Sequence, residues 1–327
     1  MPPPLLQIRF DMRAPEWGAP REALYEAALE MTAYADANGF SIASLAEHHG
    51  VDDGYCPSST TLAAAMAART QRIQLRLSAI VVPLHDPLRL AEELAVLDIL
   101  SKGRTALVAV GGYVPAEFEM FDKDYATRGR AVEECIRTLR AAWTGEPFDF
   151  RGRTVRVTPR PHNPHLPIYL GGASPVAARR AGRLADGFIT HEPDLHRIYV
   201  EEAQVQGRKA EPMGPTGPAA VFVTDDPDRT WSQIAPHAIH ESESYGKWQN
   251  EQGVSGAYSH AVTLDAVKAT GTYAVVTPAE CRKLLRNGSS LMFHPLVSGL
   301  DPEIGFASLR LFVDEVLPEF TVLFENG

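Results

Sequence analysis

Glu47, His48 and His49 stand side by side in the stretch SLAEHHGVDD. Such a trio can ligate a metal, exchange protons with a bound cofactor, or close a turn by hydrogen bonding. Along an extended strand consecutive side chains point to opposite faces, so His48 and His49 do not reach one ion together. The HxH and HExxH spacings are missing here, and His85, His162, His165 and His191 show no spacing that ties them to a metal. No metal is therefore expected. Three other short motifs carry possible chemistry. In GGASP (Gly171–Pro175) two glycines precede Ser174, a good N-cap, and Pro175, which suits a first helical turn. Free N–H groups at such a helix start can receive a phosphate, or the motif is plain strand-to-helix punctuation. Gly111 and Gly112 in VGGY leave room for a flat ligand against the backbone. Arg128, in YATRGR, is either a phosphate contact or an exposed helix charge.

The elements that must position these residues alternate between strand and helix. Strand-like runs are LLQIRFDM, FSIASLAE, IQLRLSAIVV, RTALVAVGG, LPIYLGG, DGFIT, PAAVFVT and SSLMFHPLV. Helical patterns separate most of them: REALYEAALEMTAYADANGF stops at Asn38-Gly39, and Pro87 opens PLRLAEELAVLDILSKG. Eight strands with intervening helices match a (β/α)₈ TIM barrel. No GxGxxG follows the first strand, which weakens an open dinucleotide-binding sheet. One domain over residues 1–327 is expected, with insertions at about 148–160, a hairpin, and at about 225–272. The second insertion reads as a helical decoration burying Trp231, Tyr245, Trp248 and Tyr258, or as a pocket wall. In a barrel, ligands bind the loops after the strand ends. Glu47-His48-His49, SAIVVPLHDP, VGGY and GGASP follow strands two to five, which places all four on one rim.

Composition narrows the function. The 327 residues carry 31 Lys+Arg against 41 Asp+Glu, a net charge of −10, and no basic run, so neither nucleic acid nor an anionic membrane is an expected partner. The opening MPPPLLQIRFDMR has no signal-peptide pattern and no stretch approaches a membrane span, which predicts a cytoplasmic protein. Cys56, Cys135 and Cys281 are odd in number and widely spaced, against a disulfide framework.

The chain resembles the bacterial luciferase-like flavin-dependent monooxygenases over nearly its whole length. AEHHG, DPLRLAEELAVLDILSKGR, VGGYVPAEFEMFDKDYATRGRAVEE, LPIYLGGASPVAARRAGRLADG and SLRLFVDEVLP carry the resemblance. It implies a luciferase-type (β/α)₈ barrel, a homodimer, and reduced flavin at the C-terminal rim. It also implies a bulge with a non-proline cis peptide at Ser78-Ala79, beneath the flavin ring. By the same resemblance His48 sits near the reactive edge of the flavin as the catalytic residue. Gly171, Gly172, Ala173, Ser174 and Arg128 surround its phosphate, and Gly111 and Gly112 line the ring. Val110 precedes the glycine pair where luciferases themselves carry an arginine before the final glycine, so light emission is not implied. Relatives that use the deazaflavin coenzyme more often show a Trp/Ser-Asp-His pattern where this chain has Glu-His-His, which favours FMN. The leading expectation is a two-component monooxygenase that takes reduced FMN from a separate reductase and uses O2 to oxidise a small organic substrate. The alternatives are a deazaflavin-dependent oxidoreductase moving hydride without O2, and a non-catalytic flavin-binding protein.

Overall fold

A computed structural model describes residues 4–253 and 260–321. Its strands are β1 (Leu6–Phe10), β2 (Ile42–Leu45), β3 (Gln74–Val81), β4 (Thr105–Val110), β5 (Phe148–Phe150), β6 (Arg153–Val155), β7 (Ile168–Gly171), β8 (Gly187–Ile189), β9 (Ala220–Val223), β10 (Tyr273–Val276) and β11 (Leu291–Phe293). Nine belong to a large sheet whose described pairings are parallel. The other two, β5 and β6, form the expected antiparallel hairpin.

The chain divides into two compact units. The first contains residues up to Ser44, Val51–Cys56 and the chain from Gly214 onward. There the strand order is β10-β9-β11-β1-β2. All four residues of β9, AVFV, are buried, as a parallel strand covered on both faces requires. Phe222 packs with Ile234, Ala238, Val267 and Tyr273 in this unit's core. Tyr273–Val276 is a strand that the eight-strand expectation omitted, and it pairs in parallel with β9. Four residues between Gly271 and Pro278 carry too little periodicity to announce a strand, and its partner is 53 positions away in register (Tyr273 opposite Ala220). The segment from Asp225 is largely helical, with a helix at Pro227–Gln252 that carries Trp231, Tyr245 and Trp248 and runs through Pro236. Tyr258 lies outside the described residues.

The second unit contains Leu45–Gly50 and Pro57–Met213, with strand order β3-β4-β7-β8. Register places Val81 opposite Val110 and Ala109 opposite Leu170, so these strands end at a common edge. Just beyond β3 the Asp86 carboxylate accepts from the N–H groups of Leu88 (3.0 Å) and Arg89 (3.1 Å), with Pro87 at the first position of the helix Pro87–Ser101. That cap fixes where the chain turns away from the strand edge. The three cysteines are buried and none is in a disulfide, and among the described residues no helix is long and apolar enough to cross a membrane.

Candidate functional site

The strand ends of the second unit bring most of the expected site residues together. On β3 the register with β4 slips between Ser78 and Ile80, leaving Ala79 as the extra residue of a bulge, and the Ser78-Ala79 peptide is cis. Both features stand where the resemblance implies them. Gly112, just past β4, has φ +74°, and a Cβ there would lie 2.6 Å from Val81 Cγ1 and 3.0 Å from Phe118. A Cβ on Gly111 would lie 3.9 Å from Arg128 Cγ. On β7 a Cβ at Gly171 would meet Val110 Cγ1 at 2.8 Å, and at Gly172 it would meet Ala177 Cβ at 2.6 Å. Close packing of the chain on itself therefore already requires glycine at 112, 171 and 172.

Ser174 is the N-cap of the helix Pro175–Leu184, its hydroxyl accepting from the Ala177 N–H at 3.3 Å. Gly172, Ala173 and Ser174 are exposed, so this helix start is open to a ligand. Half-buried Arg128 begins the helix Arg128–Ala142, where its Nη1 donates to the Tyr125 carbonyl (2.9 Å) and its guanidinium lies 3.8 Å above the Tyr125 ring.

His48 is 7% exposed, and its Nδ1 lies 2.8 Å from Oε1 of Glu117, itself 2% exposed. The same oxygen accepts the His49 backbone N–H at 2.9 Å. A carboxylate accepts, so this contact assigns a proton to His48 Nδ1. Fixing an imidazole's tautomer through a buried carboxylate prepares the other nitrogen to take or return a proton. Tyr113 stands edge-on to His48, 5.9 Å between ring centres.

His49 faces a different acid. Its Nε2 donates to Glu47 Oε1 (2.7 Å), which also accepts from His85 Nε2 (2.9 Å). Burial pushes the Glu47 carboxyl up, but the hydrogen bonds from both histidines outweigh it and hold it below its ordinary value. Burial pushes His85 down, and the bond and charge of Glu47 outweigh that and raise it. Glu47, His49 and His85 thus form a cluster with ligand atoms within 4.8 Å, as do Asp11, Glu241 and His294 in the first unit. In the first cluster both imidazoles already donate to Glu47; in the second Arg9 and Tyr273 hold Glu241.

Sequence reasoning missed Glu117 and the tie between His85 and Glu47. Glu117 sits in the short helix Pro115–Met120 two residues from exposed Glu119, and nothing in AEFEM distinguishes the two. His85 lies 38 positions from Glu47, a separation that no local spacing rule spans.

The sequence model of the luciferase-like monooxygenase family matches residues 10–294. The chain belongs to this family, which is a family of enzymes. It is 29% identical over 222 residues to an F420-dependent glucose-6-phosphate dehydrogenase of Nakamurella multipartita, covering 62% of this chain and 60% of that protein. It is also 29% identical over 171 residues to an FMNH(2)-dependent dimethylsulfone monooxygenase of Pseudomonas putida, covering 50% and 46%. The chain thus spans about half to 60% of the length of these curated relatives. Among solved structures, monooxygenase RslO1 from Streptomyces bottropensis superposes with a TM-score of 0.75 at 23% identity, covering 97% of this chain and 99% of that one. An F420-dependent secondary alcohol dehydrogenase gives 0.68 at 15% identity, covering 93% and 98%. These likenesses establish the fold as the luciferase-type α/β barrel that the sequence predicts.

Proposed function

We propose that this protein is a two-component monooxygenase that binds reduced FMN, supplied by a separate reductase, and uses O2 to oxidise a small organic substrate. The observation that carries the reading is the buried His48–Glu117 pair, with Nδ1 2.8 Å from the carboxylate, in the same unit as the bulged end of β3 and the glycine-lined strand ends. The residues present fit a flavin mononucleotide. The exposed residues Gly172–Ser174, at the head of a ten-residue helix, suit its phosphate, with Arg128 as the cationic contact. The backbone of Ser78-Ala79 and Gly111-Gly112 offers side-chain-free or nearly side-chain-free surface for the ring. Reduced FMN supplies the electrons that activate O2. His48 would take and return the proton that this chemistry moves, and Glu117 holds its ring in place through Nδ1.

His48→Ala tests this directly. Reduced-FMN binding is expected to stay within a few-fold of wild type while turnover falls and the O2 consumed appears as hydrogen peroxide. Unchanged coupling of O2 to product removes His48 from the mechanism.

A second reading has its own support in the likeness to an F420-dependent dehydrogenase at 29% identity. In that case a deazaflavin coenzyme would serve as the hydride acceptor, His48 would accept the proton of an alcohol substrate, and O2 would play no part.

A further inference from the structure

We propose that the first unit contains a binding site for the carboxylate of a small organic acid, with Arg13 as its anchor. Arg13 is 1% exposed, yet its Nε and Nη2 have no hydrogen-bond partner among the described residues. These two nitrogens form one edge of the planar guanidinium, the edge that receives a carboxylate through two parallel N–H···O bonds. Its other directions are taken. Nη1 donates to Asp53 Oδ2 at 2.5 Å and lies 3.5 Å from Ser244 Oγ. The rings of Tyr55, Tyr245 and Trp248 pack on the guanidinium, their centres 4.8, 5.7 and 5.3 Å from Cζ. A partner for the open edge would therefore lie near the guanidinium plane, close to these aromatic rings. That geometry selects a flat carboxylate over a tetrahedral anion.

Three features hold Arg13 in this attitude. Its backbone N–H donates to Asp11 Oδ1 (3.0 Å), and the Ala14 N–H donates to the Asp53 carbonyl (2.7 Å). Buried Met12, between Asp11 and Arg13, has φ +59°, a left-handed conformation that costs a residue with a Cβ and persists only where its surroundings enforce it. The Tyr55 and Tyr245 hydroxyls hydrogen-bond each other at 2.7 Å and lock two of the rings. Asp53 Oδ2 is shared with His240 Nε2 (2.7 Å), so this carboxylate does not serve Arg13 alone. A structural ion pair needs only the Asp53 side of the guanidinium. A buried, unpaired fork edge walled by three aromatic rings is the arrangement of a receptor for a planar anion.

The test is calorimetric titration of the full chain, free of flavin, with benzoate, with uncharged benzamide of the same shape, and with inorganic sulfate. Benzoate is expected to bind at micromolar to millimolar concentration and to change Trp248 fluorescence, a response absent in Trp248→Phe. Benzamide and sulfate are expected to bind at least tenfold more weakly. Arg13→Met should abolish benzoate binding, and Arg13→Lys, which keeps the charge and loses the fork, should weaken it at least tenfold. Equal binding of benzoate and benzamide, equal binding of sulfate, or no response to millimolar benzoate in the wild type overturns the proposal even where the Arg13 variants do not fold. Reduced-flavin titration of the same preparations keeps this result separate from the proposed monooxygenase activity.

Discussion

Replacing Gly112 with alanine adds a methyl group where the structure has no space and asks an L-residue to hold a left-handed backbone. The φ of +74° costs alanine about 1–2 kcal/mol relative to glycine. The added Cβ would lie 2.6 Å from Val81 Cγ1 and 3.0 Å from Phe118 Cε2. Val81 and Phe118 are both buried, and valine is stiff about χ1, so neither gives way without disturbing its neighbours. Overpacking of that kind adds about 1–3 kcal/mol, for a total near 2–5 kcal/mol. Gly39 supplies the control: its φ is +76° and a Cβ there meets nothing within 4 Å. Alanine at either position reduces the freedom of the unfolded chain equally, so that effect cancels in the comparison. Urea denaturation of Gly112→Ala and Gly39→Ala should therefore show the first to be less stable by about 1–3 kcal/mol. Losses that agree within about 0.5 kcal/mol would refute the packing argument. The same pair, titrated with reduced FMN, should show weaker binding only for Gly112→Ala, because Val81 must move at the end of β3.

Glu117→Gln replaces a carboxylate that accepts from both His48 Nδ1 and the His49 N–H with an amide, and it puts an amide group where buried Oε2 has no partner among the described residues. Two weakened hydrogen bonds and an unsatisfied buried donor predict a loss of about 2–4 kcal/mol in chemical denaturation, with kcat falling more than KM rises. Unchanged stability and kcat would show that Glu117 does not hold His48. The Glu47–His85 contact predicts a pH window. His85 is raised above its ordinary 6.5, so its contribution is complete below that value and is lost as pH rises through the higher folded one. Glu47 is lowered below 4.5, so its contribution is present above that value and is lost as pH falls through the lower folded one. Melting temperatures of wild type and His85→Gln from about pH 5 to pH 8 should differ most at the acid end of that range and converge toward the alkaline end. A gap independent of pH would show that the pair is not ionic.

The barrel class was legible because its signals are local and repeated. Pro87 announces the start of a helix, GGASP announces a strand-to-helix turn, and both occur where read. The hairpin read over Phe148–Pro159, where the strand–helix alternation is interrupted, is present as β5 and β6. The ninth parallel strand was not legible, because four residues carry almost no period and the pairing with β9 is a tertiary event. Within the site, His48 was visible as a residue type at a strand end. Glu117, 69 positions away, was not, because an acid in a short polar helix looks solvated until packing buries it. The same holds for Arg13. An arginine after a strand reads as a surface charge, and only the helix Pro227–Gln252 brings Tyr245 and Trp248 to it. The glycines illustrate the converse. Their freedom was read as room for a ligand, whereas Val81, Val110 and Ala177 already demand it at 112, 171 and 172.

The central claim is tested most directly by an anaerobic equilibrium titration of the protein with reduced FMN and, in parallel, with reduced deazaflavin coenzyme. The account predicts saturable binding of reduced FMN at least tenfold tighter than that of the deazaflavin, weakened by Arg128→Met and little changed by His48→Ala. Tighter binding of the deazaflavin would contradict it and transfer the same His48–Glu117 pair to hydride chemistry.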